Sequence, residues 1–281
     1  MSFIYSLQDV KISLERINEI HGRRNEEDDG ELLTRYADDK NRSITLNDID
    51  FRYDLHALKN TLDNITFTVP QGQVTAIVGA SGSGKTTLIK LMLGYYRVNR
   101  GSIDIAGADI NRYSMTWWRR RCGVVMQEGV IFSESIARNI AVSDGDIDEA
   151  RLEEAARTAC IHDYIMSLPL RYNTKIGRDG VGLSQGQKQR ILIARAVYRN
   201  PDYIFLDEAT NSLDARNERE IVSNLSRFYR GRTVVVVAHR LSTVRDADNI
   251  IVLDAGRIVE SGNHDSLIAA RGHYYNLVIS D

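Results

Sequence analysis

Apolar residues first fall into register at Leu7, Val10, Leu14 and Ile17, spaced three, four and three apart. That spacing lines one face of a helix, so residues 1–24 predict an amphipathic helix that needs a surface to lie against. The following "RRNEEDDGELLTRYADDKNRS" is charged and poor in apolar residues, the composition of a linker. From residue 44 the period shortens to two: "IDFRY" and "ITFTV" alternate apolar with polar and predict half-buried antiparallel strands. By contrast, "VTAIVG", "YIFLD" and "TVVVVAH" are continuous apolar runs rich in β-branched residues, the pattern of strands covered on both faces of a parallel sheet. Each precedes a loop and then helical periodicity. "DIDEARLEEAARTAC" opens with an Asp-x-x-Glu capping pattern at Asp146 and Glu149 and begins a mainly helical insertion. "IIVLDAGRIVESG" predicts two strands about an Asp-Ala-Gly turn, with a final helix near "HDSLIAARGHYYNLV".

Alternation of buried strands with helices predicts an α/β protein. Its 281 residues allow one substantial domain or two small ones. With 36 basic and 38 acidic residues, the formal charge of −2 gives no electrostatic reason to expect nucleic acid as a partner. The densest basic run, "WRRR" at residues 118–121, reads as a solvated element end. Cys122 and Cys160 lie in apolar settings without metal-ligand spacing, which predicts buried free thiols in a reducing compartment. No stretch approaches the roughly 18 apolar residues of a membrane span, and the N-terminus lacks the features of a signal peptide, so the chain is expected to be soluble.

Chemistry enters at "VGASGSGKTTLIKLML", where Gly79, Gly84, Lys85 and Thr86 satisfy the rule Gly, any four, Gly, Lys, Ser or Thr between a buried strand and a helix. Backbone N–H groups must turn inward around phosphate oxygens, which needs conformations that a Cβ blocks. Lys85 is expected to neutralise β/γ-phosphate charge and Thr86 to ligate Mg²⁺, with Ser81, Gly82, Ser83 and Thr87 completing the cradle. Such a loop is shared by kinases, GTPases and transport ATPases. "PDYIFLDEAT" delivers two adjacent acids at a strand end: Asp207, placed to hold Mg²⁺, and Glu208, a candidate general base for water. "TVVVVAHR" brings His239 to a third strand end, from which it would reach the γ-phosphate. His21, His56, His162, His264 and His273 read as surface or packing residues.

The order of "GASGSGKT", "VVMQE", "LSQGQ", "IFLDEAT", "NSLD" and "VAHR" resembles the nucleotide-binding domain of ABC transporters, over about residues 44–278. The resemblance implies a P-loop NTPase core with a mainly parallel sheet, an antiparallel β subdomain, and a helical signature-bearing subdomain at about residues 128–198. It implies ATP and Mg²⁺ as ligands and a transport-coupled ATPase activity. Tyr53 matches the aromatic that stacks on adenine, with simple packing beside Ile49 and Phe51 as its alternative. Gln127 matches the glutamine that approaches Mg²⁺ and the attacking water, and Asp214 matches a loop that crosses to a partner. In the family two domains pack head to tail. Ser184, Gly186 and Gln187 are therefore expected at the nucleotide held by a second copy, Ser184 and the Gly186 N–H bonding its γ-phosphate at a helix N-terminus. Two positions depart from the family's pattern: Gln185, where glycine is usual, and Arg178, where exporters commonly carry glutamate.

About forty residues precede the first strand, whereas import ATPases resemble one another in beginning close to it. Residues 1–43 resemble the cytoplasmic end of a membrane helix and the linker of half-size exporters. A transmembrane domain fused ahead of an ATPase domain at residues 44–281 is therefore expected, at the cytoplasmic face of the inner membrane. "SLERINEI" resembles most closely bacterial peptide or bacteriocin exporters. A free-standing import subunit and a soluble ABC ATPase of translation or repair are the alternatives.

Overall fold

The computed structural model describes residues 2–22, 31–143, 145–178, 180–209, 215–238 and 244–280. The period-two segments form β1 (Ile44–Phe51) and β2 (Leu62–Val69), which pair antiparallel. With β4 (Arg100–Ile105) and β5 (Ala108–Asp109) they make a four-stranded antiparallel sheet in the order β2-β1-β4-β5. The continuous apolar runs become β3 (Val74–Val78), β7 (Tyr203–Asp207) and β8 (Thr233–Val237). They lie with β6 (Cys122–Val125), β9 (Asn249–Asp254) and β10 (Arg257–Gly262) in a second sheet, ordered β10-β9-β3-β8-β7-β6. All its neighbours are parallel except β10, which returns antiparallel on β9. The predicted Asp-Ala-Gly turn closes that hairpin, with Ala255 and Gly256 both at positive φ, as a tight primed turn requires.

Covering on both faces explains why these strands lack alternation. Ile204, Leu206, Val234 and Val236 enter one core, while Tyr203, Phe205, Val235 and Val237 enter another on the opposite face. The first core is closed by α4 (Ile136–Ala141), α5 (Glu149–Thr158), α6 (His162–Ser167), α7 (Gln185–Tyr198) and α8 (Ala215–Phe228). The start of α5 corrects the sequence reading: Asp148, not Asp146, is the cap, its carboxylate accepting from Arg151 N at 3.0 Å. Glu149 opens the first turn instead of answering the cap three residues on.

The second core holds β1, β2 and β4 of the antiparallel sheet together with α2 (Lys85–Met92) and α3 (Met115–Arg120). α3 fixes the end of α2. Trp118 Nε1 donates to Met92 O at 3.0 Å, and Arg119 donates to Leu93 O at 3.2 Å and Gly94 O at 2.8 Å. One cation and one neutral donor thus meet the negative end of the helix that opens at the phosphate loop. The run "WRRR" is thus not simply solvated: Trp118 is fully buried and Arg119 caps a neighbour.

Part of the predicted linker is also packed. Leu33 N donates to Arg112 O and Ser114 N to Leu33 O, while Tyr36 is buried with its hydroxyl on Asp202 Oδ2 at 2.7 Å and its ring edge-on to Trp117. A single aromatic and a leucine among charges carry no periodicity, so the docking was invisible in the pattern. α1 (Ser2–His21) leaves Val10, Leu14 and Ile17 about half exposed, without the expected surface to lie against among the described residues. α9 (His264–Ala270) and α10 (His273–Ser280) end the chain. No helix among the described residues is long and apolar enough to cross a membrane.

Candidate functional site

Register places the predicted site residues along one edge. Val125 pairs with Leu206, Asp207 with Val237, Ile77 with Val237, and Val78 with Val252. Gln127 leaves β6, Asp207 with Glu208 leaves the neighbouring β7, and Gly79 leaves β3 one strand further on, across β8, all at carboxyl ends, where open α/β sheets bind ligands. His239 and Asp214 lie outside the described residues.

Gly79, Gly82 and Gly84 all take positive φ, at 150°, 78° and 105°. At Gly79 steric room is as decisive as angle, because a Cβ there would sit 2.0 Å from Leu253 O. Gly84 precedes α2 without any side-chain cap, so the first N–H groups of that helix lack a side-chain acceptor. The buried Ser83 Oγ also lacks a partner. Lys85, 5% exposed, folds back to donate from Nζ to Gly79 O and Ala80 O, both at 2.8 Å. An anion in the cradle would satisfy each of these groups.

Asp207 is fully buried, and among the described residues neither carboxylate oxygen has a hydrogen-bond partner of ordinary geometry. Burial raises its pKa above the ordinary 3.8, opposed by the Thr86 hydroxyl and reinforced by Glu208, with Lys85 a further lowering influence. Burial likewise holds the Lys85 ammonium below 10.5, opposed by Glu208 and Asp207. Lys85, Thr86, Asp207 and Glu208 thus lie close enough to act on one another. A dry carboxylate with two empty oxygens beside a hydroxyl is the donor set that a hard divalent cation takes, so these residues fit Mg²⁺. Glu208 has left-handed backbone at φ 53° and donates its N–H to Val237 O at 3.0 Å. That conformation is costly for a non-glycine residue and persists where the surrounding structure holds it, as at functional sites.

Tyr53 leaves the buried face that Ile49 and Phe51 continue: these are 0% and 3% exposed, whereas Tyr53 is 51% exposed. Core packing therefore does not account for it. Its hydroxyl shares a hydrogen bond of 3.1 Å with Thr87 Oγ1, joining the aromatic to the phosphate-loop helix.

Gln127 is exposed in the turn after β6. The loop beyond it is held by two residues that the sequence reading missed. Buried Asn139 bonds Phe132 N at 2.8 Å and also Phe132 O, Glu134 O and Ser135 O. Arg195 donates to Val130 O and Asn139 O, stacks over Phe132, and is lowered by burial to about 10. An asparagine within "SIARNIA", polar among apolar neighbours, was the available signal. The Arg178 loop lies against the same segment, through Ile136 N to Thr174 O, Ile176 N to Glu134 O, and Arg178 N to Ser133 Oγ.

The signature residues are organised differently. Ser184 caps α7, accepting from Gln187 N at 3.2 Å, while Gln187 Oε1 accepts from Ser184 N at 2.8 Å. Gln187, expected at a nucleotide, here closes a reciprocal capping box. The Ser184 hydroxyl is exposed and acts as acceptor in the cap, which leaves its proton to donate. Gln185 opens the helix with an exposed side chain and takes no part in the cap.

The ABC transporter family pattern matches residues 62–211. Over 234 residues the chain is 46% identical to an ATP-dependent lipid A-core flippase of Saccharophagus degradans, covering 83% of this chain and 40% of the flippase. It is 41% identical over 269 residues to the alpha-hemolysin translocation ATP-binding protein HlyB of Escherichia coli, with 96% and 38% covered. The exotoxin translocation ATP-binding protein PaxB of Pasteurella aerogenes is 42% identical over 271 residues, with the same two shares. Among solved structures, a bacterial Atm1-family ABC exporter with ATP bound matches at a TM-score of 0.82 and 37% identity, over 89% of this chain and 43% of that one. The chain spans about two fifths of the length of these curated relatives.

Proposed function

This chain belongs to the ABC transporter family, and we propose that it is the ATP-binding and ATP-hydrolysing part of an exporter at the cytoplasmic face of a bacterial cell membrane. The observation that carries this reading is the buried Asp207 carboxylate, which lacks a hydrogen bond of ordinary geometry among the described residues and is influenced by the Thr86 hydroxyl and Lys85 at the strand ends. Thr86, Gln127 and Asp207 would hold Mg²⁺, which neutralises phosphate charge when bound. Lys85 leaves its two carbonyl partners to take the β- and γ-phosphates, and the phosphate-loop amides bind the remaining oxygens. Tyr53 stacks on the base. Glu208 orients the attacking water and accepts its proton, with His239 at the γ-phosphate.

Ser184 and the Gly186 N–H act in trans, at the nucleotide of a second copy, with Asp214 crossing beside them. The supporting feature is a helix end that is already capped and still presents an exposed hydroxyl. The Gln127 and Arg178 loops, hydrogen-bonded through residues 133–136 and 174–178, would pass closure to a membrane domain fused ahead of residue 1. The greater length of the relatives supports that domain. The flippase is the more identical relative, at 46% against 41–42%, but the toxin-translocation relatives extend the match from 83% to 96% of the chain, and on that added match rests the reading of a polypeptide cargo.

Phosphate release from Mg²⁺-ATP tests this function. It is expected to rise more steeply than linearly with protein concentration and to stop with EDTA. Linear dependence would remove the dimer, and absence of Mg²⁺-dependent release would remove the ATPase.

A further inference from the structure

Three aromatic rings from distant parts of the chain meet beside the phosphate-loop helix. Phe51 and Tyr53 come from the end of β1, and Tyr96 from the turn after α2. Tyr53 stands 5.1 Å from Tyr96 at 89° and 4.9 Å from Phe51 at 81°, ring centroid to ring centroid. Phe51 and Tyr96 are themselves 5.8 Å apart. Phe51 is core, whereas Tyr96 is 45% exposed, so burial alone does not place it.

Perpendicular rings at about 5 Å attract through the ring quadrupole and set each other's plane. The plane of Tyr53 is thus held by Phe51 on one contact and Tyr96 on the other, while its hydroxyl is pinned to the buried Thr87. A half-exposed ring held by two perpendicular aromatic neighbours and by its hydroxyl is a platform whose orientation is settled before a ligand arrives, which lowers the ordering cost of binding.

We propose that Tyr96 is a positioning residue for nucleobase binding: it holds the Tyr53 ring in the plane on which the base of the bound nucleotide stacks. The inference rests on the reading of Tyr53 as that platform. It assigns Tyr96 no contact with the phosphates, so its influence falls on ligands that carry a base and on no others.

Calorimetric titration of the purified protein with Mg²⁺-ADP and with Mg²⁺-pyrophosphate separates the two contributions without turnover. Tyr96→Ala is expected to weaken ADP about three- to tenfold and to leave pyrophosphate unchanged, while Tyr96→Phe keeps the wild-type ADP affinity within about twofold. Tyr53→Ala, measured alongside, is expected to weaken ADP about tenfold or more, again sparing pyrophosphate. If Tyr53→Ala weakens ADP and Tyr96→Ala does not, the positioning role is overturned and the platform stands. If Tyr53→Ala leaves ADP affinity untouched, the platform itself falls and the inference with it. Equal weakening of ADP and pyrophosphate by Tyr96→Ala would make Tyr96 a general packing residue and overturn the proposal.

Discussion

The phosphate loop and the signature loop both end at a helix N-terminus, yet the two ends are finished in opposite ways. α2 opens after Gly84 with no side-chain cap, next to an unpartnered Ser83 hydroxyl, an unpartnered Asp207 carboxylate and an ammonium held down by burial. α7 opens with a complete Ser184–Gln187 capping box at an exposed position. One end is left with unmet electrostatic demands that a ligand answers; the other is satisfied by its own side chains and needs no ligand to be stable. It follows that ligand and pH act on the first end, while the second contributes donors only when brought to a nucleotide from outside.

The comparison breaks most visibly at Glu208. Glu208→Gln is expected to cut phosphate release about a hundredfold or more while Mg²⁺-ATP still binds, because only the proton acceptor is lost. Parallel loss of affinity in calorimetry would shift the defect from chemistry to the cradle.

Ser184→Arg probes the other end. Hydrolysis is expected to fall about tenfold or more, with nucleotide affinity of the single chain within about twofold of wild type. The lost cap should lower the melting temperature by about 2–4 °C. If affinity fell as far as turnover, Ser184 would belong to the same half of the site as Lys85, and the contrast would disappear.

The smallest effect concerns stability. Because burial raises the Asp207 pKa above 3.8, the folded state binds that proton more tightly than the unfolded chain does. The favourable contribution is complete below pH 3.8 and is lost as pH climbs through the raised folded value, so the ionised carboxylate is a cost at neutral pH. Asp207→Asn is therefore expected to raise the ligand-free melting temperature at pH 7, with the gain vanishing toward pH 3, and to remove the added stabilisation by Mg²⁺-ATP. A lower melting temperature at neutral pH would show that the carboxylate is paired after all.

Much of the site was legible because its residues sit at fixed offsets from local signals. The runs "VTAIVG" and "YIFLD" predicted β3 and β7, and strand ends then delivered Gly79, Lys85, Asp207 and Glu208 to one edge. Strand order was not legible: β6 lies beside β7 although about eighty residues separate them, and no periodicity records that pairing. Tyr36 and Arg195 were missed for the same reason, since their partners Asp202 and Val130 are distant in sequence. Gln187 shows a local signal left unused. Its capping role is written locally as Ser-x-x-Gln, and assigning it to a nucleotide passed over that nearer explanation.

The most direct test of the central claim, that each site is finished by a second copy, is a distance trap in a Cys160→Ser background, since Cys160 is the partly exposed native thiol. One tagged chain carries Ser81→Cys in the phosphate loop and a differently tagged chain carries Ser184→Cys in the signature, both with Glu208→Gln so that ATP persists. A short bismaleimide should link the two tags when Mg²⁺-ATP is present and not when it is absent. Linkage within a single chain bearing both cysteines, or no dependence on ATP, would contradict a shared site.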